Sequence, residues 1–320
     1  MPGASKRPST APAARAVAAD LIAVLVAVTA GEPRVATIGD ANALPSGPFE
    51  LSHRSLQSGL RAWVEAQTAH PLGYVEQLYT FADRDRSGED PEQRVISISY
   101  LGLTREEPAG AAASGWRSWY DYFPWEDFRA GRPPLFDTML APRLKAWADA
   151  VGEPKAARER WQRAAITFGF DERGWNEELV LQRYELLFEA GLVPEAARDR
   201  PAGNTTAPPL PGRPMLSDHR RILATGIARL RAKIKYRPVV FELMPPTFTL
   251  LQLQRSVEAL AGHLLHKQNF RRLIEQQDLV EETGAISAET GGRPAKLFRF
   301  RHEVLAERAI AGTKLPLSRP

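Results

Sequence analysis

A proline-rich segment divides the sequence into two unequal parts. Residues 194–214 hold six prolines in 21 positions, together with the run Gly203-Asn204-Thr205-Thr206. Because proline fixes φ and removes a backbone donor, this composition predicts a linker without regular structure. A chain of 320 residues is also longer than one compact core usually needs. The sequence therefore predicts separate folded parts before residue 194 and after residue 216.

Charge is distributed unevenly between these parts. Residues 217–320 carry 18 Lys and Arg against 10 Asp and Glu, whereas the remaining residues carry 24 against 28. A basic third favours a polyanionic partner such as nucleic acid, and the rest of the chain does not. The sequence contains no cysteine, which excludes disulfides, thiol catalysis and cysteine-bound clusters. It also fits the reducing cytoplasm, where we expect the protein to act.

One continuously apolar run, residues 21–30, is about half as long as a membrane-spanning helix requires. Lys6, Arg7 and Arg15 precede it, so the N-terminus imitates a signal peptide. The alternative is a buried strand, because Val, Ile and Thr are frequent and Gly31-Glu32-Pro33 makes a turn into a second strand. We favour the strand and expect no membrane association. Residues 1–16 are predicted to be a disordered tail.

Strand-like runs dominate the N-terminal part, over residues 21–29, 34–38, 74–81 and 95–103. One amphipathic helix, over residues 55–67, interrupts them. Strands combined with a helix predict an α/β (α+β) domain over residues 17–140. Apolar residues at helical spacing then predict a helical segment over residues 141–193, and residues 194–216 form the linker.

The basic part has a different order of elements. Its residues predict a helix from Ser217 to Tyr236, a helix that is capped by Thr247 or Thr249 and ends at Gly262, and a short helix over residues 267–277. Two strands follow, over residues 279–283 and 296–300, joined by a glycine-rich loop. This is the order of a winged helix-turn-helix, which we predict over residues 217–320.

The polar residues of this domain suit duplex DNA. A helix of about three turns fits the major groove, and Arg293, in a Gly/Pro turn, suits a minor groove. A solvated helix face is the alternative, but the coincidence with excess positive charge favours DNA. His263 and His266 lack a third ligand, which favours a solvated turn over a metal site. The predicted DNA-binding residues are Lys267, Gln268, Asn269, Arg271, Arg272, Arg293 and Lys296.

Several stretches are distinctive as a set. In the N-terminal part they are residues 43–69 and 73–86 (GYVEQLYTFADRDR); in the C-terminal part they are residues 235–241 (KYRPVVF), 248–253, 269–272 and 291–300 (GGRPAKLFRF). Together they resemble the NrtR family, the Nudix-related transcriptional regulators of NAD metabolism, and within it the NadQ branch with a degenerate Nudix box. The resemblance implies an N-terminal Nudix-like domain, a C-terminal winged helix and control of NAD biosynthesis or salvage genes.

The resemblance also aligns a Nudix box with the segment that starts at Gly47. The family's arginine is kept as Arg61, and one of its glutamates is kept as Glu65. The other glutamate positions hold His53, Ala62 and Ala66. Two or three carboxylates are needed to hold the Mg²⁺ that neutralises a diphosphate, and imidazole is a poor magnesium ligand. We therefore expect no hydrolysis and no bound metal, and an ion pair between Arg61 and Glu65.

A Nudix cavity without its metal can still hold a nucleotide. The resemblance implies ADP-ribose, NAD or another adenine nucleotide as an effector, and no cofactor. The candidate effector contacts are Glu76, Gln77, Tyr79, Arg84 and Arg94. Their alternative interpretation is polar alternation along an exposed strand.

Seven aromatic rings lie within residues 116–128, which we call the aromatic segment. They are suited to stack a base, but such density more often packs an interdomain or dimer interface, and we favour packing. The rings belong to Trp116, Trp119, Tyr120, Tyr122, Phe123, Trp125 and Phe128.

The favoured hypothesis is therefore a homodimeric transcriptional repressor that binds operator DNA and senses an NAD-related nucleotide. The alternative is a Nudix-type nucleotide diphosphate hydrolase, similar to ADP-ribose pyrophosphatase, with an accessory nucleic-acid-binding tail. A third possibility is an RNA-binding or assembly module.

Overall fold

A computed structural model describes residues 17–73, 75–82, 94–106, 115–197, 209–235, 239–287 and 294–301. The predicted tail at residues 1–16 lies outside these ranges, as do residues 198–208 of the predicted linker, residues 288–293 of the predicted glycine-rich loop and residues 302–320 of the predicted winged helix domain. None of the helices within them is long and apolar enough to cross a membrane.

The N-terminal part is built on a mixed sheet. Its strands are β1 (Val17–Thr29), β2 (Glu32–Val35), β3 (Ser46–Pro48), β4 (Val75–Phe81), β5 (Arg94–Leu103) and β6 (Arg117–Ser118). The order is β4-β5-β1-β2-β6, with β3 also paired to β1. β1 and β5 run parallel, and the other pairs are antiparallel. Residues 21–29 of the apolar run thus lie in the central strand, and residues 21–27 are buried on both faces of the sheet, which explains their continuous hydrophobicity.

Helix α1 (Leu56–Thr68) covers one face of this sheet. It begins where predicted, because Ser55 and Ser58 form a reciprocal capping box, and it ends at Ala69 in a left-handed conformation. Leu60 and Val64 are fully buried against β1 residues such as Leu21 and Leu25.

Helix α5 (His219–Ile234), which the sequence assigns to the winged helix domain, instead covers the other face of the sheet. Gly226 lies so close to β1 that a Cβ there would be 2.8 Å from Cγ1 of Val24. Ile222, Ile227 and Leu230 are fully buried in the same core. Helix α5 packs on α4 and α6 as well as on the sheet, and the boundary predicted at residue 217 stays a prediction.

The predicted helical middle contains α2 (Ala141–Asp149), α3 (Pro154–Phe168) and α4 (Val180–Glu189). The predicted linker after it is not an extended spacer where it is described. A 3₁₀ turn spans Pro194–Ala197, and Leu210 and Met215 are 2% and 1% exposed. In the described residues of this segment, the prolines do not prevent burial.

The aromatic segment forms two 3₁₀ turns, Trp119–Asp121 and Pro124–Glu126. Trp119, Tyr122, Phe123 and Trp125 are fully buried inside the chain, between the sheet, the helical middle and α5. The prediction that these rings pack is confirmed, and the partners of these four rings belong to the same chain.

The winged helix comprises a 3₁₀ turn (Val239–Leu243), α6 (Leu250–Ala261), α7 (Lys267–Gln276), β7 (Val280–Ser287) and β8 (Ala295–Phe300). Of the two predicted caps, Thr247 and Thr249, it is Thr249 that caps α6, and Gly262 ends the helix as predicted. β7 continues past the predicted end at residue 283, because a register irregularity between Glu282 and Ile286 accommodates Gly284 at φ +78°.

Candidate functional site

The outer face of α7 is polar and open to solvent. Phe270 and Ile274 are buried beneath the helix, which fixes the opposite side outward. The N-terminus of α7 has no side-chain cap, so its free N–H groups are suited to an anion. The predicted contacts on this helix are all exposed: Lys267, Gln268, Asn269, Arg271 and Arg272.

A groove of about 680 Å³ runs between α7, the start of α6 and the wing strands. Lys267 and Arg271 line it from α7, and Lys296 lines it from β8. Thr249, Leu250 and Leu251 line it from α6. These three residues were not predicted as DNA contacts. The sequence feature that could have indicated them is the start of a helix close to α7, the predicted recognition helix.

Two wing cations are paired with carboxylates. Lys296 Nζ lies 2.8 Å from Glu282 Oε1, and Arg299 Nε lies 2.6 Å from Glu281 Oε1, all on exposed or half-exposed side chains. Such solvated pairs are weak, about 0–1 kcal/mol, so a phosphate can compete for the cations. Arg293, the predicted wing-tip contact, lies outside the described residues.

In the segment aligned with the Nudix box, aromatic side chains pack around His53. Gly47 lies in β3, next to the loop that holds His53. The His53 imidazole stacks on Phe49 with centroids 5.9 Å apart and meets Trp63 edge-on at 6.4 Å. His53 Nδ1 accepts a hydrogen bond from the Glu50 amide at 3.0 Å, which uses one ring nitrogen.

The helix positions of the box do not form a carboxylate cluster. Ala62, Glu65 and Ala66 are exposed on α1. The predicted Arg61–Glu65 ion pair is wrong: Arg61 Nη1 donates to the carbonyl of Leu72, and Nη2 donates to that of Gly73 at 2.9 Å. Backbone carbonyls of the following loop come within reach of the guanidinium, which a helical spacing rule does not consider.

In the described part of the chain, no group of three or more His, Asp or Glu is placed to hold a metal ion. The donor set at the box, one imidazole and one exposed carboxylate, does not fit Mg²⁺, which requires several oxygen ligands. We therefore assign no metal-dependent step to these residues.

The three described effector candidates lie on β4 and differ in their surroundings. Glu76 accepts from Lys233 of α5, and both side chains are largely buried. Gln77 is exposed and Tyr79 is 60% exposed. Arg84 and the side chain of Arg94 lie outside what the structure describes. Lys233 was not indicated by the sequence, because its partner lies 157 residues away.

Comparison with known proteins shows which class of protein has this architecture. Residues 240–300 match the NrtR DNA-binding winged helix domain. Over most of its length the chain has the fold of Shewanella oneidensis NrtR, solved with a 27mer DNA: 18% identity, a TM-score of 0.50 and coverage of 90% of this chain and 95% of that one. A MutT/nudix family protein from Enterococcus faecalis has the same likeness, with 16% identity, a TM-score of 0.50 and coverage of 92% and 90%. The architecture is thus a Nudix-like domain joined to a winged helix.

A curated relative gives a narrower match. The ADPR responsive transcriptional repressor NtrR of Acinetobacter baylyi is 45% identical over 83 residues, which are 26% of this chain and 33% of that repressor. The match thus spans a third of the length of that repressor and about a quarter of this chain, and residues 240–300 of this chain are of the NrtR winged-helix type. We call the sheet with α1, α5 and the aromatic segment the Nudix-like body.

Proposed function

We propose that the protein is a homodimeric, DNA-binding repressor of NAD biosynthesis or salvage genes, released from its operator by ADP-ribose or a related nucleotide. The observation that carries the proposal is the exposed basic face of α7, in a domain of the NrtR winged-helix type, packed onto a Nudix-like body. The Acinetobacter relative, a repressor that responds to ADPR by name, supports the choice of effector.

The predicted contacts on α7 and the wing then have separate roles. Side chains on the exposed face of α7 enter the major groove, Lys296 contacts the backbone beside it, and Arg293 enters a minor groove. Two copies of α7 in a dimer would address half-sites about 34 Å apart, so we expect a palindromic operator. The effector must bind one arrangement of the protein more tightly than the DNA-bound one, because only differential affinity shifts the equilibrium.

Selection from a random pool identifies the operator. Wild-type protein is used to select duplexes from a randomised library, and binding to the enriched duplex is measured by fluorescence anisotropy at several salt concentrations. ADP-ribose, NAD and ATP are then titrated into the complex. We expect enrichment of a palindrome and release by one of these nucleotides. Failure to enrich any duplex would refute the DNA-binding proposal.

The hydrolase alternative makes a different prediction. We propose that the chain does not turn over ADP-ribose, because the box lacks the acids that anchor magnesium. Incubation with Mg²⁺ and ADP-ribose, followed by chromatography for AMP, tests this. AMP at enzyme-like rates would contradict the proposal and favour the hydrolase.

A further inference from the structure

The C-terminal end of α6 is hydrogen-bonded by groups from outside the winged helix. The last carbonyls of any helix lack intrahelical partners and must find others. Here the Tyr120 hydroxyl donates to the carbonyl of Ala259 at 2.7 Å, and Arg231 Nε donates to that of Leu260 at 2.9 Å. The backbone amide of Phe128 donates to the carbonyl of Gly262 at 2.6 Å. All three donors belong to the Nudix-like body.

Arg231 is itself held in one orientation. Its Nη1 lies 2.6 Å from Glu126 Oε2, and its Nη2 donates to the backbone carbonyl of Glu126 at 3.1 Å. Glu126 also pairs with Arg183 of α4, with 2.5 Å between Nε and Oε1. The side chains of all three residues are 0% exposed. A cation at a helix C-terminus is favourable, because the helix dipole is negative there.

The two parts approach closely at the same point. Gly262 has φ +81°, and a Cβ on it would lie 2.5 Å from the carbonyl oxygen of Glu126 and 2.6 Å from Arg231 Nη2. Lys267, the first residue of α7, follows only five residues later. The position of this turn therefore determines where the recognition helix begins.

We infer that Tyr120 and Arg231 are positioning residues: they fasten the end of α6 to the Nudix-like body and thereby fix the orientation in which α7 meets DNA. The consequence for DNA binding rests on the proposed function, whereas the fastening itself does not. Both side chains are buried, and they lie outside α7, which carries predicted DNA contacts, and outside β4, which carries effector candidates.

The aromatic segment offers a matched pair of variants. Tyr120→Phe removes the hydroxyl that bonds to Ala259 of α6, whereas Tyr122→Phe removes one that bonds to Ala41, before β3, at 2.6 Å. Both tyrosines are buried, so each change deletes one buried hydrogen bond and keeps the ring. Only the first of these bonds joins the winged helix to the body.

Hydrogen exchange followed by mass spectrometry, on the full chain without DNA or nucleotide, tests the fastening. In Tyr120→Phe we expect amide exchange of residues 250–276 to quicken by about tenfold. In Tyr122→Phe, exchange of that stretch should stay at the wild-type rate. Equal exchange of residues 250–276 in the two variants would overturn the inference. The inference would also be overturned if, in the wild-type protein, the backbone amides of α6 exchanged much faster than those of α5.

Binding to the duplex selected for the wild-type protein tests the consequence. We expect affinity to fall by about three- to tenfold in Tyr120→Phe and to remain unchanged in Tyr122→Phe. Equal affinities would refute the positioning role. If the wild-type protein binds no duplex but the exchange difference is present, the proposed function fails and the fastening stands.

Discussion

Glu126 is a residue on which two buried cations depend. Its carboxylate is the counter-ion of both Arg183 and Arg231, and none of the three side chains reaches solvent. Glu126→Gln keeps the shape but leaves two guanidinium groups without a buried negative charge, so we expect a loss of about 3–5 kcal/mol in the free energy of unfolding. Urea denaturation measures it. Glu282→Gln, which breaks an exposed pair with Lys296, is the control and should cost about 0–1 kcal/mol.

Two glycines with nearly the same φ separate conformational strain from steric overlap. Gly262 has φ +81° and Gly284 has φ +78°, but a Cβ at Gly284 would meet nothing within 4 Å. Gly284→Ala should therefore cost only the left-handed backbone term, about 1–2 kcal/mol. Gly262→Ala should cost a further 1–3 kcal/mol, roughly, because it also forces α6 away from Glu126. Thermal or urea unfolding compares them; equal losses would mean that this turn has room to adjust.

Asp20 gives a pH-dependent prediction at the residue scale. Burial raises the pKa of its carboxyl above the ordinary value of 3.8. The folded state therefore binds the proton more tightly than the unfolded chain, and ionised Asp20 lowers stability at neutral pH. Asp20→Asn should raise the unfolding free energy at pH 7, and the gain should vanish below the ordinary carboxyl range. Urea titrations at several pH values test this; a gain that is independent of pH would exclude ionisation as the cause.

At the scale of elements, the sequence was informative wherever a signal is local. The end of α6 at Gly262, and its start to within Thr247 or Thr249, could be predicted because capping depends on neighbouring residues. The helical periodicity of α5 predicted its existence but not its partner, because an apolar face specifies burial and not against what. Helical spacing likewise does not show which loop packs beside a side chain, so the hydrogen bonds from Arg61 to the carbonyls of Leu72 and Gly73 could not be predicted.

The recognition helix yields a prediction for DNA binding. Arg271 is exposed on α7 and lines the groove, whereas Arg158 is exposed on α3, outside the winged helix. Arg271→Ala should weaken binding to the selected duplex by about 1–3 kcal/mol or reduce the salt slope by about one. Arg158→Ala removes the same charge and should change neither. Anisotropy titrations from low to physiological salt distinguish these outcomes. Equal effects of the two changes would indicate that only net charge matters.

At the scale of the whole molecule, the predicted architecture is found, but the contacts that join the winged helix to the Nudix-like body could not be predicted from the sequence. A winged helix and a Nudix-like domain follow from motifs, and the comparisons support both. Arg231 bonds to the end of α6, and its side chain is held by the carboxylate of Glu126, which also binds Arg183. Arg183 and Arg231 are 57 and 105 residues away from Glu126 in the sequence. Sequence separation of that size carries no periodic or spacing signal. Only the folded packing identifies these residues as partners.

This packing predicts how the molecule unfolds. One buried cluster runs from Val24 of β1 through Trp125 to Leu253 of α6 and Phe270 of α7, so the winged helix shares its core with the Nudix-like body. We expect a single calorimetric transition whose calorimetric and van't Hoff enthalpies agree. We also expect a fragment of residues 239–301 to give a poorly dispersed NMR spectrum. Two separated transitions, or a fragment with native-like dispersion, would show that the winged helix is an independent domain.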